Sequence, residues 1–446
     1  MSRSVVTAIT DRWESALVTT LERGTDAQIA RRCPDLADLL AVAGSGLAEV
    51  ALVSADLRSL DRTALDHLRE CAVTVVGVYP PGDETAQRHL LQLGIATNVS
   101  ADASAEVIQQ TLDGLDAPSA RSGSEPTWLP PGLGEGEVGG ADGLTSPALR
   151  GSHLLAPDQP GTATDSDGEA PPGAIIAVWG PAGAPGRTTV ALNVASELAR
   201  LGQPTVLVDA DTYGGCIAQA LSLLDEAPGL AAATRSADQG SLDLAALARL
   251  APEVSPGLRV LTGIPKAERW PELRAAALEH VLTLTRRLAR FTVVDCGFSL
   301  EDDEELSYDT LAPRRNAATL TSLAVADQVL AVGAGDPIGL QRLVRGLQEL
   351  GTVASPSPTV VINRVRSSAV GPRPESRIRD ALTRFAGIDD PRFIPDDPAT
   401  LDGALLAGQS LAEAAPDSEL RKTLVLLARE ICGEPAGHTG RRRKGA

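Results

Sequence analysis

The sequence predicts an α/β protein built on two parallel sheets, and three observations predict it. Short, near-continuous runs of β-branched and apolar residues recur along the 446-residue chain, each followed by a stretch with helical spacing of apolar positions. The runs carry little polar alternation, as expected of strands covered on both faces by helices. The pattern also breaks once, over residues 116–172, into a Gly, Pro, Ser and Asp-rich stretch with no sustained periodicity. The α/β pattern therefore falls into two regions, 1–115 and 173–433.

In the first region "SVVTAIT", "EVALVSADL" and "VTVVGVYPP" read as buried strands. "RTALDHLREC", "ETAQRHLLQLG" and "SAEVIQQTLDGL" read as helices. A small parallel α/β domain follows. Residues 116–172, typified by "LPPGLGEGEVGGADGLTSP", bury too little apolar surface to offset ordering entropy and read as a flexible acidic linker. In the second region the strand candidates are "AIIAVWG", "PTVLVDAD", "LRVLTGI", "FTVVDCG", "QVLAVGA" and "TVVINRV". The end of the chain, 434–446, carries the basic patch "GRRRKGA". It reads as a disordered solubilising tail, with weak contact to anionic lipid as the lesser reading.

Composition narrows the function. The net charge of −18 disfavours nonspecific nucleic-acid binding, and no helix-turn-helix signature or basic stripe offsets it. No apolar run reaches the length of a membrane span, and the N-terminus lacks a signal peptide's apolar stretch, so a cytoplasmic location is expected. The five cysteines are scattered without a CxxC pair and read as reduced, small apolar residues. Of the 40 basic residues only Lys266, Lys422 and Lys444 are lysine, so arginine is the default cation.

The stretch "VWGPAGAPGRTTVALNVA", 178–195, is where chemistry concentrates. A strand runs into glycines, then two threonines, then a helical pattern. Phosphate-binding loops need this order, because glycines let backbone N–H groups approach phosphate oxygens ahead of a helix N-terminus. Gly183 and Gly186 supply the freedom, and Thr188 is placed to ligate Mg²⁺. The strict G-x-x-x-x-G-K-[ST] pattern fails twice: Pro181 replaces its first glycine and Arg187 its lysine. A plain strand–helix turn would explain the loop alone. Asp209 and Asp211 end one buried run, however, and Asp295 ends another. Carboxylates at the carboxyl ends of parallel strands face the crevice where ligands bind, where one can hold Mg²⁺ through water and another can position an attacking water.

With these residues the second region resembles the MinD/ParA family of P-loop ATPases. The family's deviant P-loop, D-x-D and switch motifs correspond in order to "AGAPGRTT", "DAD" and "DCGFS". "VVINRV" offers the family's adenine-recognising asparagine as Asn363, followed by Arg364, and "FIPDD" its base-lining segment, with Pro395. The resemblance implies ATP or ADP with Mg²⁺ as cofactors. Gly183, Ala184, Gly186, Arg187, Thr188, Thr189, Asn363 and Pro395 would then bind nucleotide. Thr188, Asp209 and Asp295 would hold the metal, mostly through water, and Asp211 would position water if the site is active. It also implies a homodimer closed over nucleotide. Two departures fall on the chemistry. The family's signature lysine corresponds to Ala182, and the ordinary P-loop lysine to Arg187. Arginine is a broad planar fork where lysine is a point charge, so phosphate affinity can survive while alignment suffers. Arg314 and Arg315, in the long segment after the switch, are either replacement phosphate contacts or part of a surface turn.

The first region is similar to a receiver domain, hence flavodoxin-like, but Asp11 and Asp56 match its acidic positions only approximately and no lysine precedes Lys266. A degenerate docking or structural module is expected. The whole arrangement resembles the actinobacterial branch of the CpaE/TadZ group, which places pilus and secretion assembly machinery. This implies pilus or secretion proteins as partners, no specific nucleic acid, and weak peripheral membrane contact at most, at the inner face of the cell membrane or the pole. Two alternatives stay open: an active ATPase of septum positioning or partition, and a scaffold that binds no nucleotide.

Overall fold

A computed structural model describes residues 3–58, 60–115, 172–223, 228–302 and 313–433. The expected linker, apart from Pro172, and the basic tail lie outside the described residues. So does most of the acidic segment after Asp302. The described residues up to Asp113 and from Pro172 onward belong to one compact unit.

The first sheet has five strands: β1 Arg3–Ala8, β2 Ala27–Arg32, β3 Val50–Ser54, β4 Thr74–Tyr79 and β5 Asn98–Ser100. Their order is β2-β1-β3-β4-β5 and every pairing is parallel, which is the flavodoxin-like arrangement. β3 is buried at every residue because helices cover both its faces. Helices 62–70 and 84–93 form where the apolar spacing places them, each opened by an aspartate whose carboxylate accepts from the first-turn amides: Asp61 from Ala64, and Asp83 from Thr85 and Ala86.

The second sheet has eight strands: β6 Ala174–Trp179, β7 Thr205–Ala210, β8 Glu253–Ser255, β9 Leu258–Leu261, β10 Phe291–Cys296, β11 Gln328–Ala334, β12 Pro358–Val365 and β13 Arg392–Pro395. Their order is β13-β12-β11-β6-β10-β7-β9-β8, parallel except for β8 against β9. All six runs expected in this region are strands. β8 and β13 were not expected. They are three and four residues long, too short and too exposed to write an apolar run.

Two helical layers cover the sheet. Helix 187–200 is buried along Val190–Ala199, inserted between the sheet and helix 419–431. Its buried Glu197 accepts a two-pronged ion pair from Arg421 at 2.6 and 3.1 Å. The stretch "LRKTLVLLAREIC" therefore packs into the core through Leu420, Leu424, Leu427, Ala428 and Ile431. On the other face, helix 275–288 buries Ala277, Leu278, Val281 and Leu282. Within the compact unit this helix also meets helix 62–70, and Arg274 at its start pairs with both Asp61 (2.9 Å) and Asp238 (3.3 Å).

Candidate functional site

Register builds the site before any side chain is considered. β10 lies between β6 and β7, and Asp295 on β10 pairs with Val178 on β6 and with Asp209 on β7. The strand that feeds the glycine loop and the two strands that carry carboxylates thus end side by side. Strand order reverses between β10 and β11, on either side of β6, which opens a crevice at the carboxyl ends.

The loop from Gly180 to Gly186 is shaped by close approaches that leave no room for side chains. A Cβ on Gly180 would stand 2.3 Å from the Val332 carbonyl oxygen. Gly183 and Gly186 adopt φ of +74° and +96°, a region that L side chains rarely enter. A Cβ on Gly186 would meet the Asn363 amide nitrogen at 2.0 Å. That nitrogen donates to the Pro185 carbonyl at 2.9 Å, so β12 holds the loop from the far side. The Ala184 amide donates to Pro181, closing the turn, and Gly186 begins the helix with no side-chain cap. The first-turn amides are left for a ligand. Thr189 gives its carbonyl to the Asn193 amide, inside the helix. Pro395 on β13 pairs with Val365 on β12, which brings it to the same end of the sheet as Asn363.

The charged groups converge beneath this loop. Thr188 donates to Asp295 Oδ2 at 2.6 Å. Asp209 accepts from the Ile217 and Asp211 amides at 3.0 and 3.3 Å. Gly215 and Gly263 wall it in, since a Cβ on either would fall within 3 Å of its carboxyl group. Asp211 accepts from the Tyr213 and Gly214 amides through Oδ1 and from Arg187 through Oδ2 at 3.1 Å. Arg187 also donates to the Gly180 carbonyl at 3.0 Å. Its guanidinium is folded across the base of the loop onto Asp211. Burial raises Asp209 to about 7, against the pull of its backbone hydrogen bonds. Burial, and then the negative charge of Asp209, push Asp295 well above the usual carboxylate range.

Two buried polar atoms here have no hydrogen-bond partner among the described residues: Arg187 Nε and Asp295 Oδ1. An unpaired donor and an unpaired acceptor at one loop fit an anion on one side and a cation on the other. Among the described residues no three His, Cys, Asp or Glu side chains are grouped to hold a metal by themselves. A Mg²⁺ ion binds in another way, through one or two carboxylates, waters and phosphate oxygens.

The glycine loop, Arg187, Thr188, Asp209, Asp211, Asp295 and Asn363 meet at the carboxyl end of the second sheet, and Arg314 and Arg315 lie to one side. Arg314 pairs with Asp302 at 3.4 Å. Arg315 donates to Thr212 Oγ1 at 2.7 Å and stacks on Tyr213, 3.8 Å from the ring centroid. It braces the loop after Asp211 through Thr212 and Tyr213. Tyr213 in turn donates to Asn316 at 2.7 Å and packs on Phe298. Trp179, fully buried, donates its indole N–H to the Phe298 carbonyl at 3.2 Å. Sequence reasoning missed this aromatic brace, because its members lie far apart in the chain and carry no motif.

No family model matches the chain, and no curated protein matches it. Solved structures with a similar fold include the cell division ATPase MinD of Pyrococcus furiosus, at 21% identity over 58% of this chain and 99% of that one, with a TM-score of 0.47. A ParA family ATPase from Chlorobium tepidum TLS is similar at 20% identity over 57% and 98%, TM-score 0.48. Cyanothece McdA(D38A), solved as an ATP complex, is similar at 16% identity over 58% and 96%, TM-score 0.45. Strand order and register, and not these distant likenesses, establish the fold.

Proposed function

We propose that the crevice binds an adenine nucleotide with Mg²⁺, hydrolyses it slowly or not at all, and serves a localisation protein for pilus or secretion machinery. The observation that carries the binding is the pair of unpartnered buried atoms, Arg187 Nε and Asp295 Oδ1, at a glycine loop whose helix N-terminus is uncapped. Thr188 would hold Mg²⁺ directly, and Asp209 and Asp295 through water. The bound ion would neutralise phosphate charge and relieve the crowding of the two carboxylates. Gly183, Ala184, Gly186 and Thr189 would offer backbone groups to phosphate. Asn363 and Pro395 would flank the base.

Slow turnover follows from what the cations and the third carboxylate are already doing. Ala182 carries no charge, and Arg187 is held by Gly180 and Asp211. Both oxygens of Asp211 are engaged, so it is poorly placed to orient an attacking water. Losing a transition-state cation costs about 10³–10⁵ in rate. The localisation role and the homodimer rest on the resemblance of the motifs. Calorimetric titration of the full chain with Mg·ATP and Mg·ADP, with turnover measured in parallel, tests the site. Saturable binding with turnover near background is expected, and Asp211→Ala should change turnover little. Brisk hydrolysis lost in Asp211→Ala would replace this reading with the active ATPase. No binding at millimolar nucleotide would leave a scaffold. A strict monomer in sedimentation with and without Mg·ATP would remove the dimer.

A further inference from the structure

The helix after β11, residues 337–350, touches the glycine loop with a cation that no other described residue holds. Gly339 and Gly346 lie seven residues apart on one face of this helix, with Arg342 between them. Both glycines are close-approach positions. A Cβ on Gly339 would meet Ala334 at 2.5 Å, and one on Gly346 would meet Pro181 at 2.9 Å and Trp179 at 3.1 Å. The helix is therefore pressed onto the start of the loop, and its face delivers Arg342. The guanidinium lies so close to Gly183 that a Cβ there would stand 2.0 Å from Nη1. Among the described residues Arg342 makes no hydrogen bond or ion pair, although its side chain is exposed and charged. Arg187 is committed to Asp211, and Ala182, beside Gly183, has no charge.

Resting on the nucleotide reading above, we infer that Arg342 is a phosphate-binding residue that contacts the terminal phosphate of a nucleoside triphosphate. Direction along the loop gives the assignment. Asn363 meets the loop at Pro185 and Gly186, which is the base end, and Arg342 meets it at Gly183, on the opposite limb. A nucleotide with its base toward Asn363 runs its phosphates toward Arg342. A free, solvated guanidinium can fork onto two phosphate oxygens without breaking an existing ion pair. The cation thus enters from a different helix than the loop's own sequence would supply.

The test compares affinities of the full-length protein for Mg·ADP and for a non-hydrolysable Mg·ATP analogue, measured by calorimetry. Arg342→Ala should weaken triphosphate binding by roughly 10- to 100-fold and diphosphate binding by less than about threefold, the range of a charge-assisted contact present for one ligand only. Arg342→Lys should recover part of the loss. Arg345→Ala, one turn further on and also exposed, controls for general charge and should leave both affinities unchanged. Triphosphate affinity unchanged in Arg342→Ala, or equal losses for both nucleotides, would overturn the assignment. Failure of the unaltered protein to bind either nucleotide would instead overturn the nucleotide reading itself.

Discussion

The two sheets end in carboxylates of very different standing. At the carboxyl ends of the first sheet, Asp56 and Asp102 are exposed, and each accepts a hydrogen bond from the serine two residues before it, Ser54 and Ser100. At the same edge of the second sheet, Asp209, Asp211 and Asp295 are 2%, 6% and 0% exposed, and Asp295 keeps one oxygen unpaired. Parallel topology offers an edge in both cases. An exposed carboxylate satisfied by its own turn asks for nothing further. Buried carboxylates set side by side are costly unless something compensates them. The difference in burial, with strand topology common to both, points to the second edge as the working one.

A matched pair of glycines would break this comparison most sharply if it is wrong. Gly186, in the loop of the second sheet, and Gly94, which ends helix 84–93 of the first, have φ of +96° and +97°. Alanine at either position pays the same backbone strain, about 1 kcal/mol. The surroundings differ: a Cβ on Gly94 would meet the flexible ends of Arg69 at 3.2 Å and Arg62 at 3.6 Å, whereas one on Gly186 would strike the Asn363 amide at 2.0 Å. Gly186→Ala should weaken nucleotide binding at least about tenfold by spoiling the amides that face phosphate. Gly94→Ala should lower stability by about the 1 kcal/mol of backbone strain and leave affinity unchanged. Equal affinities in the two variants would show that the loop geometry is not used for binding.

The same contrast explains what the sequence disclosed. Strands of the second sheet buried on both faces had to be written as apolar runs, and all six were legible. β2, "AQIARR", is an edge strand that exposes Arg31 and Arg32, so neither its periodicity nor its composition marked it. The glycines and aspartates of the site were legible because phosphate chemistry demands those residue types in that order. Arg187 was legible as a substitution, but its engagement with Asp211 was not, since the pairing spans 24 residues and depends on β7 lying next to β10. Arg342 was invisible. It is one more arginine on an exposed helix face until the fold lays it against Gly183. The contact of helix 62–70 with helix 275–288 left no periodic trace either, because it joins stretches more than 200 residues apart.

That contact offers a smaller effect, read through pH. His280 lies on helix 275–288 and faces Arg62, with Asp66, Arg69 and Glu279 lining the same recess. Burial, and then the charge of Arg62, lower its pKa from 6.5 to about 4, and a hydrogen bond with the Leu242 backbone opposes them. The folded state therefore resists a proton that the unfolded chain accepts. Stability is complete above pH 6.5 and falls as pH drops toward 4. Because the ring is only partly buried, solvent screening cuts the effect to about 1 kcal/mol. Denaturation midpoints at pH 7.5 and 5 should differ more for the unaltered chain than for His280→Gln. Identical pH dependence in the two would show that the ring is not buried against Arg62.

The smallest expected effect is none, at Asp56. A receiver domain accepts a phosphoryl group on an aspartate after its third strand, and Asp56 stands two residues beyond β3. Transfer to a carboxylate brings three negatively charged oxygens into the edge of the sheet, and these need a metal and a cation beside them. The first lysine of the chain is Lys266. After β5, where the receiver pattern places a lysine, Ser100 is followed by Ala101 and Asp102, an acidic residue that would repel the phosphoryl group. Asp56 itself already accepts from Ser54. Incubation of the full chain with acetyl phosphate and Mg²⁺ should therefore leave its intact mass unchanged. Gain of one phosphoryl group, abolished by Asp56→Ala, would give the first sheet a working site of its own and erase the contrast between the two edges.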